Sequence, residues 1–442
     1  MTAHAQTRRF RQLRDAMHAH GFAQKVIRTA GFNVGAAAAA GLGGVIIARA
    51  VGPGVRGEYA AVTSWFGLAL MVGGVGQPAA LCFYVARDPE RARDYVATSR
   101  AMMIVTGAIA LTAGFLLAPL LSHGVPAVVA GYRIAFSASI MAFVGASYTF
   151  SLQAKDIRQW NLVRITQPVL ALIAIVVLWR LRLLTLDSSL LILAGTMSLQ
   201  LAWAYFACHR TGLLAGRVSV GLVKPLFTYG AAQIAALTPA LVNADLDQLV
   251  LSQTVPPAAL GKYAIAVTLT LLPIPLVSAI GNVAFPRLAA QREVTGATRR
   301  LQRAAVLGSG GVAAAILIPI AALSYWAVPL VFGTAYRGAV PMVWILTPGS
   351  VFLSCSQVVG DLLRGRSHPA VVAWAQGLAA IFTVVLLLAL LPVIGVYGAA
   401  VASTISYGVA LAAMLRRLWR LPRHARGSYS AAPVRASAQP ET

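Results

Sequence analysis

Val51-Gly52-Pro53-Gly54-Val55-Arg56-Gly57-Glu58-Tyr59-Ala60 returns in outline as Val255-Pro256-Pro257-Ala258-Ala259-Leu260-Gly261-Lys262-Tyr263-Ala264, at an offset of 204 residues. The common pattern is V-x-P-x-x-x-G-x-Y-A. At the same offset and without a gap, Tyr132-Arg133-x-Ala135 meets Tyr336-Arg337-x-Ala339, Gly145 meets Gly349, and Gln153 meets Gln357. Scattered alanine or leucine identities would carry no weight in so apolar a chain. Proline, glycine, tyrosine and arginine falling together at one offset do, and we read the chain as a duplication.

Each copy of the motif lies between two apolar runs, and such runs recur from Gly31 to Leu415. Hydrophobic residues make up 58% of the sequence and charged residues 11%. A soluble protein has roughly a quarter of its residues charged, so the class is an integral membrane protein. A run of about 20 apolar residues crosses a ~30 Å hydrocarbon core as a helix. We place spans at 31–51, 58–80, 99–121, 134–152, 165–181, 186–208, 226–252, 260–285, 304–323, 340–363, 371–391 and 396–415. The expected organisation is a basic leader over 1–30, a first lobe over 31–208, a linker over 209–225, a second lobe over 226–415 and a basic, disordered tail over 416–442. Phe10, Leu13 and Met17 have helical spacing among arginines. The leader is thus either an amphipathic helix in the membrane interface or a disordered arm. Six spans per lobe is an even number, so the lobes enter the membrane the same way round, as a parallel repeat.

The formal charge of +24 comes from 36 lysines and arginines against 12 acids. With the amino terminus in the cytoplasm, all but seven of the basic residues fall on cytoplasmic segments; the exceptions are Arg49, Arg56, Arg133, Arg180, Arg182, Lys262 and Arg337. The positive-inside rule demands this bias, and only an even number of spans with both termini inside produces it. The charge therefore reports orientation in the inner membrane and contact with anionic lipid headgroups, and no nucleic-acid partner is expected.

No stretch suggests an enzyme, a cofactor or a metal centre. The glycine clusters Gly41-Leu42-Gly43-Gly44 and Gly308-Ser309-Gly310-Gly311 lie inside spans, where they let helices approach closely. The seven histidines and three cysteines have no ligand spacing. External loops are too short to hold the acceptor and acid–base groups of a membrane glycosyltransferase or polymerase.

Ionisable and polar groups inside spans are costly and point to function. Span 7 carries Asn243-Ala244-Asp245-Leu246-Asp247-Gln248. Two positions along a helix turn about 200°, so the two carboxylates face different ways. Asn243 and Asp247 share one face, and Asp245 and Gln248 another. We expect Asp247 to line a wet cavity as an ion or proton site; the alternative is a structural ion pair near the outer interface. Arg49, near the outer end of span 1, can meet a phosphate bidentately or snorkel to the surface. Gln77 adds a neutral polar group at the end of span 2, and Asp361 is expected to pair locally with Arg364.

Ile46-Ile47-Ala48-Arg49-Ala50-Val51-Gly52-Pro53 followed by Gly57-x-Tyr59 resembles the end of the first span in the polysaccharide (Wzx-like) flippases of the multidrug/oligosaccharidyl-lipid/polysaccharide (MOP) exporter superfamily. Asp247-Gln248-Leu249-Val250-Leu251, Pro257-x-x-x-Gly261-x-Tyr263, Phe285-Pro286-Arg287-Leu288 and Val331-Phe332-Gly333 are similar to later parts of the same family. The resemblance implies an all-α, MATE-like fold of two six-helix lobes around a central cavity. It implies transfer of polyprenyl-pyrophosphate-linked oligosaccharide from the inner to the outer leaflet by alternating access, for cell-surface polysaccharide. Arg49 and Asp247 match its first-span arginine and span-7 acid. Membrane lipids, a coupling H+ or Na+, and glycosyltransferases or a polymerase of the same pathway are the implied partners. The alternative is a cation- or proton-coupled small-molecule (drug) antiporter of the same superfamily.

The orientation is open to a direct check. Epitope tags at either terminus should become reactive in intact cells only after the inner membrane is permeabilised, whereas a tag inserted near Arg337 should react from outside; a carboxy-terminal tag reactive from outside would overturn both the span count and the repeat.

Overall fold

The computed structural model describes residues 3–278, 280, 296–366 and 368–420, with the side chains of 3–27, 30, 235–244, 297 and 365 outside the description. The expectations on Phe10, Leu13 and Met17, on the side chain of Asn243, on Phe285-Pro286-Arg287-Leu288 and on most of the tail lie outside the described side chains. Among the described residues every regular element is helical. That is what a bilayer requires, because a spanning segment must satisfy its own N–H and C=O groups.

The first half comprises α1 (Ala3–Gly73), α2 (Gln77–Arg87), α3 (Ala92–Leu121), α4 (Pro126–Ser137), α5 (Ser139–Lys155), α6 (Ile157–Arg180) and α7 (Leu186–Arg210). The second comprises α8 (Val220–Thr254), α9 (Pro257–Thr270), α10 (Gly296–Phe332), α11 (Ala339–Gly365), α12 (Pro369–Ile394) and α13 (Val396–Arg420). Twelve crossings follow among the described residues. α1 supplies two, because Gly52 adopts φ 75°, ψ 175° in front of Pro53 and folds spans 1 and 2 back on each other without a loop. Ten helical stretches among the described residues are long and apolar enough to cross a membrane, one of them the 43-residue Gly31–Gly73 and one the joined α4–α5, Pro126–Lys155. α8 provides the remaining crossing.

Side chains sort as they should for a bundle in lipid. Ile109, Leu116, Leu120, Phe206, Leu307, Trp326, Leu330 and Leu388 are exposed on the outer surface, while the interior carries many alanines and small polar residues. Lipid tails are as apolar as leucine, so helix association rests on close packing between small residues. α8 changes partners along its length. Leu222 and Leu226 pack with Ala80, Leu81 and Tyr95 of the first half, whereas Leu251 packs with Leu260, Tyr263 and Ala264 of the second.

The bundle has two ends. One, the basic end, holds the α2–α3, α5–α6, α7–α8 and α11–α12 junctions. The other holds the Gly52 bend and the α3–α4, α6–α7, α8–α9, α10–α11 and α12–α13 junctions. The expected local pair is present at the basic end, with Arg364 Nη2 2.6 Å from Asp361 Oδ1.

Candidate functional site

The repeated motif brings its two copies together at the end of the bundle opposite the basic end. A Cβ on Gly57 would stand 1.7 Å from the carbonyl oxygen of Pro257, and one on Gly261 would stand 2.0 Å from that of Pro53. The relation is reciprocal: the glycine of each motif faces the proline carbonyl of the other, four residues upstream of that copy's own glycine. Only glycine permits such an approach of two backbones. Ala60 and Ala61 continue the contact into a shared apolar cluster with Leu260, Tyr263 and Ala264.

Polar contacts around this crossing also run from one half to the other. Arg49 Nη1 donates to the carbonyls of Leu330 (2.7 Å) and Val331 (3.1 Å). These lie in the last turn of α10, where unsatisfied carbonyls carry partial negative charge and favour a cation. At the position matching Arg49 in the second half, Gln253 Nε2 donates to Leu121 O (3.3 Å) at the end of α3. Tyr336 OH donates to Ala48 O at 2.9 Å, but the hydroxyl of its counterpart Tyr132 is buried without a partner. The two halves therefore clasp each other by related contacts that are not identical. Arg49 thus engages helix carbonyls through Nη1 while its side chain stays exposed.

A second constellation sits beside the clasp. Asp247 on α8 is 3% exposed. Its Oδ2 accepts from Tyr263 OH on α9 and from Ser403 Oγ on α13 at 3.0 Å; its Oδ1 accepts from the N–H of Gln248 at 2.7 Å. Tyr263 OH and Ser403 Oγ are themselves 3.4 Å apart. Ala399, Ala400 and Ala402 of α13 pack in the same cluster as Leu260 and Tyr263 of α9, and their small side chains let Ser403 approach the acid. Among the described residues the sole ion pair is the one at Asp361, so no cation offsets Asp247. A buried carboxylate without a counter-charge is costly; this one can hold a proton, or share a cation with the two hydroxyl oxygens.

The exposures reverse the expectation for span 7: Asp245 is exposed and Asp247 is enclosed. The turn of about 200° sets the two acids on different sides, but periodicity does not say which side a neighbour occupies. Gln248 is half-buried beside Asp247. Gln77 is remote from this constellation in its contacts: 1% exposed, its Oε1 accepts from Ser99 Oγ at 2.9 Å, and Ser99 reaches Ser147 at 3.2 Å. It ties α2 to α3 and α5. Of the expected residues whose side chains are described, then, only Asp247 and Gln248 are brought together. Ser403 and the hydroxyl of Tyr263 were not singled out beforehand. The tyrosine had a signal, since it closes the repeated motif. Ser403 had none, as one serine among many in spans.

The basic end is bridged as well. Gly76, with φ 64°, meets Gly230 so closely that a Cβ on either would stand 2.0 to 2.3 Å from a carbonyl oxygen of the opposite strand of chain. Next to it Phe83 stacks on Tyr229 with ring centroids 4.5 Å apart, and Tyr84 stacks on Tyr95 at 5.1 Å. Both ends of the seam between α1–α2 and α8–α9 are thus closed in this form.

The fold is shared with solved transporters of the MOP superfamily. The chain superposes with TM-score 0.72 on an inward-facing multidrug resistance MATE family transporter of that superfamily, at 13% identity over 87% of this chain and 94% of the other. It superposes equally, at 0.72, on the lipid II flippase MurJ in an inward closed conformation, at 12% identity over 90% and 88% of the two chains. Against an outward-facing MATE family transporter the TM-score is 0.62, at 13% identity over 90% and 95%. The sequence is more specific than the fold. Residues 22–292 match the model of the family described as polysaccharide biosynthesis protein, and the chain belongs to that family. No curated protein sequence matches it significantly.

Two outcomes follow from these contacts. In a background lacking the three native cysteines, a cysteine at Ala48, which is wholly buried under Tyr336, should resist a membrane-impermeant maleimide; adding Gly57→Leu should make it reactive, because the crossing can no longer close. Gln77→Ala should lower stability in detergent by about 1–3 kcal/mol, the usual cost of orphaning a buried polar partner, as read by thermal unfolding against the wild type.

Proposed function

We propose that this protein is a flippase carrying polyprenyl-pyrophosphate-linked oligosaccharide from the inner to the outer leaflet of the cell membrane, for assembly of surface polysaccharide. The family match over residues 22–292 supports the pathway, and the fold shared with a lipid II flippase supports the kind of cargo. In this reading the basic end, with both termini, faces the cytoplasm. The single observation that carries the mechanism is the reciprocal Gly57–Gly261 crossing, a closure of the external side that can part as a unit, since beyond the backbone contact it is joined by a few hydrogen bonds such as those of Arg49 and Tyr336. The form seen here is the inward, closed member of an alternating-access cycle, in keeping with the better superposition on inward forms than on an outward one.

Asp247 is the coupling site in this scheme. Tyr263, which donates to it, lies two residues beyond the clasp glycine Gly261 on the same helix. Taking up H+ or Na+ at Asp247 alters the hydrogen bonds that position α9, and α9 carries half of the clasp. The membrane potential favours the traffic on both counts: about 2.3 kcal/mol per elementary charge at 100 mV drives an anionic headgroup out of an inside-negative cell and a cation in. Glycosyltransferases that build the cargo and a polymerase that consumes it are the partners this reading expects. The buried acid and the equal likeness to a MATE family transporter favour a second reading, export of small molecules coupled to a cation.

Deleting the protein should cause lipid-linked oligosaccharide to accumulate at the inner face and disappear from the outer, and Asp247→Asn should fold yet complement the loss poorly. Unchanged outer-leaflet oligosaccharide together with new drug sensitivity would instead establish the second reading.

A further inference from the structure

A cavity of about 420 Å³ opens at the basic end of the first half, between the start of α1, the α5–α6 junction and the end of α7. Neither the clasp nor the Asp247 constellation uses it. Its walls carry Arg28, Lys155, Arg158, Asp156, Asn161 and Thr211. Three cations therefore face one carboxylate, and that carboxylate is already engaged: Asp156 caps α6, its Oδ1 accepting the N–H groups of Arg158 (2.9 Å) and Gln159 (3.2 Å). None of the three cations belongs to an ion pair, since among the described residues Arg364–Asp361 is the sole one. The Arg28 guanidinium lies 5.8 Å from the centroid of the Phe32 ring.

Asn161 supplies the second, independent sign of a ligand. It is 2% exposed, its Nδ2 donates to Thr29 Oγ1 at 2.9 Å, and its Oδ1 is buried with no partner. A buried polar atom left unmatched costs about 1–3 kcal/mol unless something completes it. The Thr29 hydroxyl can donate as readily as accept, so the amide can turn over and present its N–H pair to an anion instead. A cluster of basic side chains at the membrane interface with a donor amide at its base is the chemistry of phosphate recognition.

We propose that this cavity is a binding site for the phosphate of a lipid headgroup in the leaflet at the basic end, with Lys155 and Arg158 neutralising the charge, Arg28 closing over it and Asn161 completing the hydrogen bonds. The phosphate is either that of a resident anionic phospholipid or the pyrophosphate of an arriving polyprenyl cargo. The first source does not depend on the flippase reading; the second rests on it.

The test uses the full-length protein in phosphatidylcholine nanodiscs, titrated calorimetrically with inorganic pyrophosphate. Saturable binding should weaken about tenfold or more in Lys155→Gln/Arg158→Gln, as loss of a charge-assisted contact does, and should survive in Lys155→Arg/Arg158→Lys. Arg416→Gln/Arg417→Gln, which removes the same charge from the exposed end of α13, should bind as the wild type does. Asn161→Leu, which alters no charge, should weaken binding as well, so the site remains testable should the double variant fold poorly. Native mass spectrometry then separates the sources: phosphatidylglycerol retained by the wild type and lost from Lys155→Gln/Arg158→Gln assigns a phospholipid. Unchanged phospholipid retention with impaired oligosaccharide transfer assigns the cargo. Absence of saturable binding, or equal losses in the Arg416→Gln/Arg417→Gln protein, overturns the proposal as mere surface attraction.

Discussion

Two transmembrane backbones touch where Gly57 and Gly261 each face the other copy's proline carbonyl, and the rest of the arrangement depends on that contact. In lipid there is no hydrophobic gain from bringing helices together, so attraction must come from how closely they approach. A single methyl group on either glycine would overlap a carbonyl oxygen. The motif V-x-P-x-x-x-G-x-Y-A is thus a device for joining two halves at their ends. Proline starts the helix after the bend or junction, and glycine four residues on opens the surface for the partner. Tyrosine two residues beyond that reaches into the interior, where in the second half it meets Asp247.

The two halves repeat one frame, but the polar groups set within it differ. Tyr263 has a counterpart in Tyr59, but the position matching Asp247 is Gly43 and the one matching Ser403 is Leu199. The buried acid and its second hydroxyl therefore exist in one half alone. At the clasp the positions of Arg49 and Gln253 have kept the same task, donating to carbonyls at the end of the other half's third span. Only the arginine carries charge to that helix terminus.

Much of this was legible in the residues themselves. The apolar runs, the alternation of basic segments, the offset of 204 and the local Asp361–Arg364 pair are all properties of sequence spacing. Bilayer thickness converts run length into crossings and helix periodicity converts short spacing into neighbours, so no knowledge of the tertiary arrangement is needed. The span-2 helix departs from the expected 58–80 because Gly52-Pro53 turns the chain without a loop and Gly74–Gly76 breaks it before α2. Both are local glycine effects that an apolar run does not register.

Asp247 and Ser403 are separated by 156 positions, and Arg49 and the carbonyl of Leu330 by 281; no periodicity reaches across such intervals. The sequence alone determined that the chain spans a membrane as two related halves, that its acids in span 7 point apart, and that its family deals in polysaccharide. Only the packing of α8, α9 and α13 decided that Asp247, and not Asp245, is the enclosed acid, and that Arg49 serves a helix end. The physical reason is that a side chain's type fixes what it can bond, while its partner is chosen by whichever helix the small residues allow to come close.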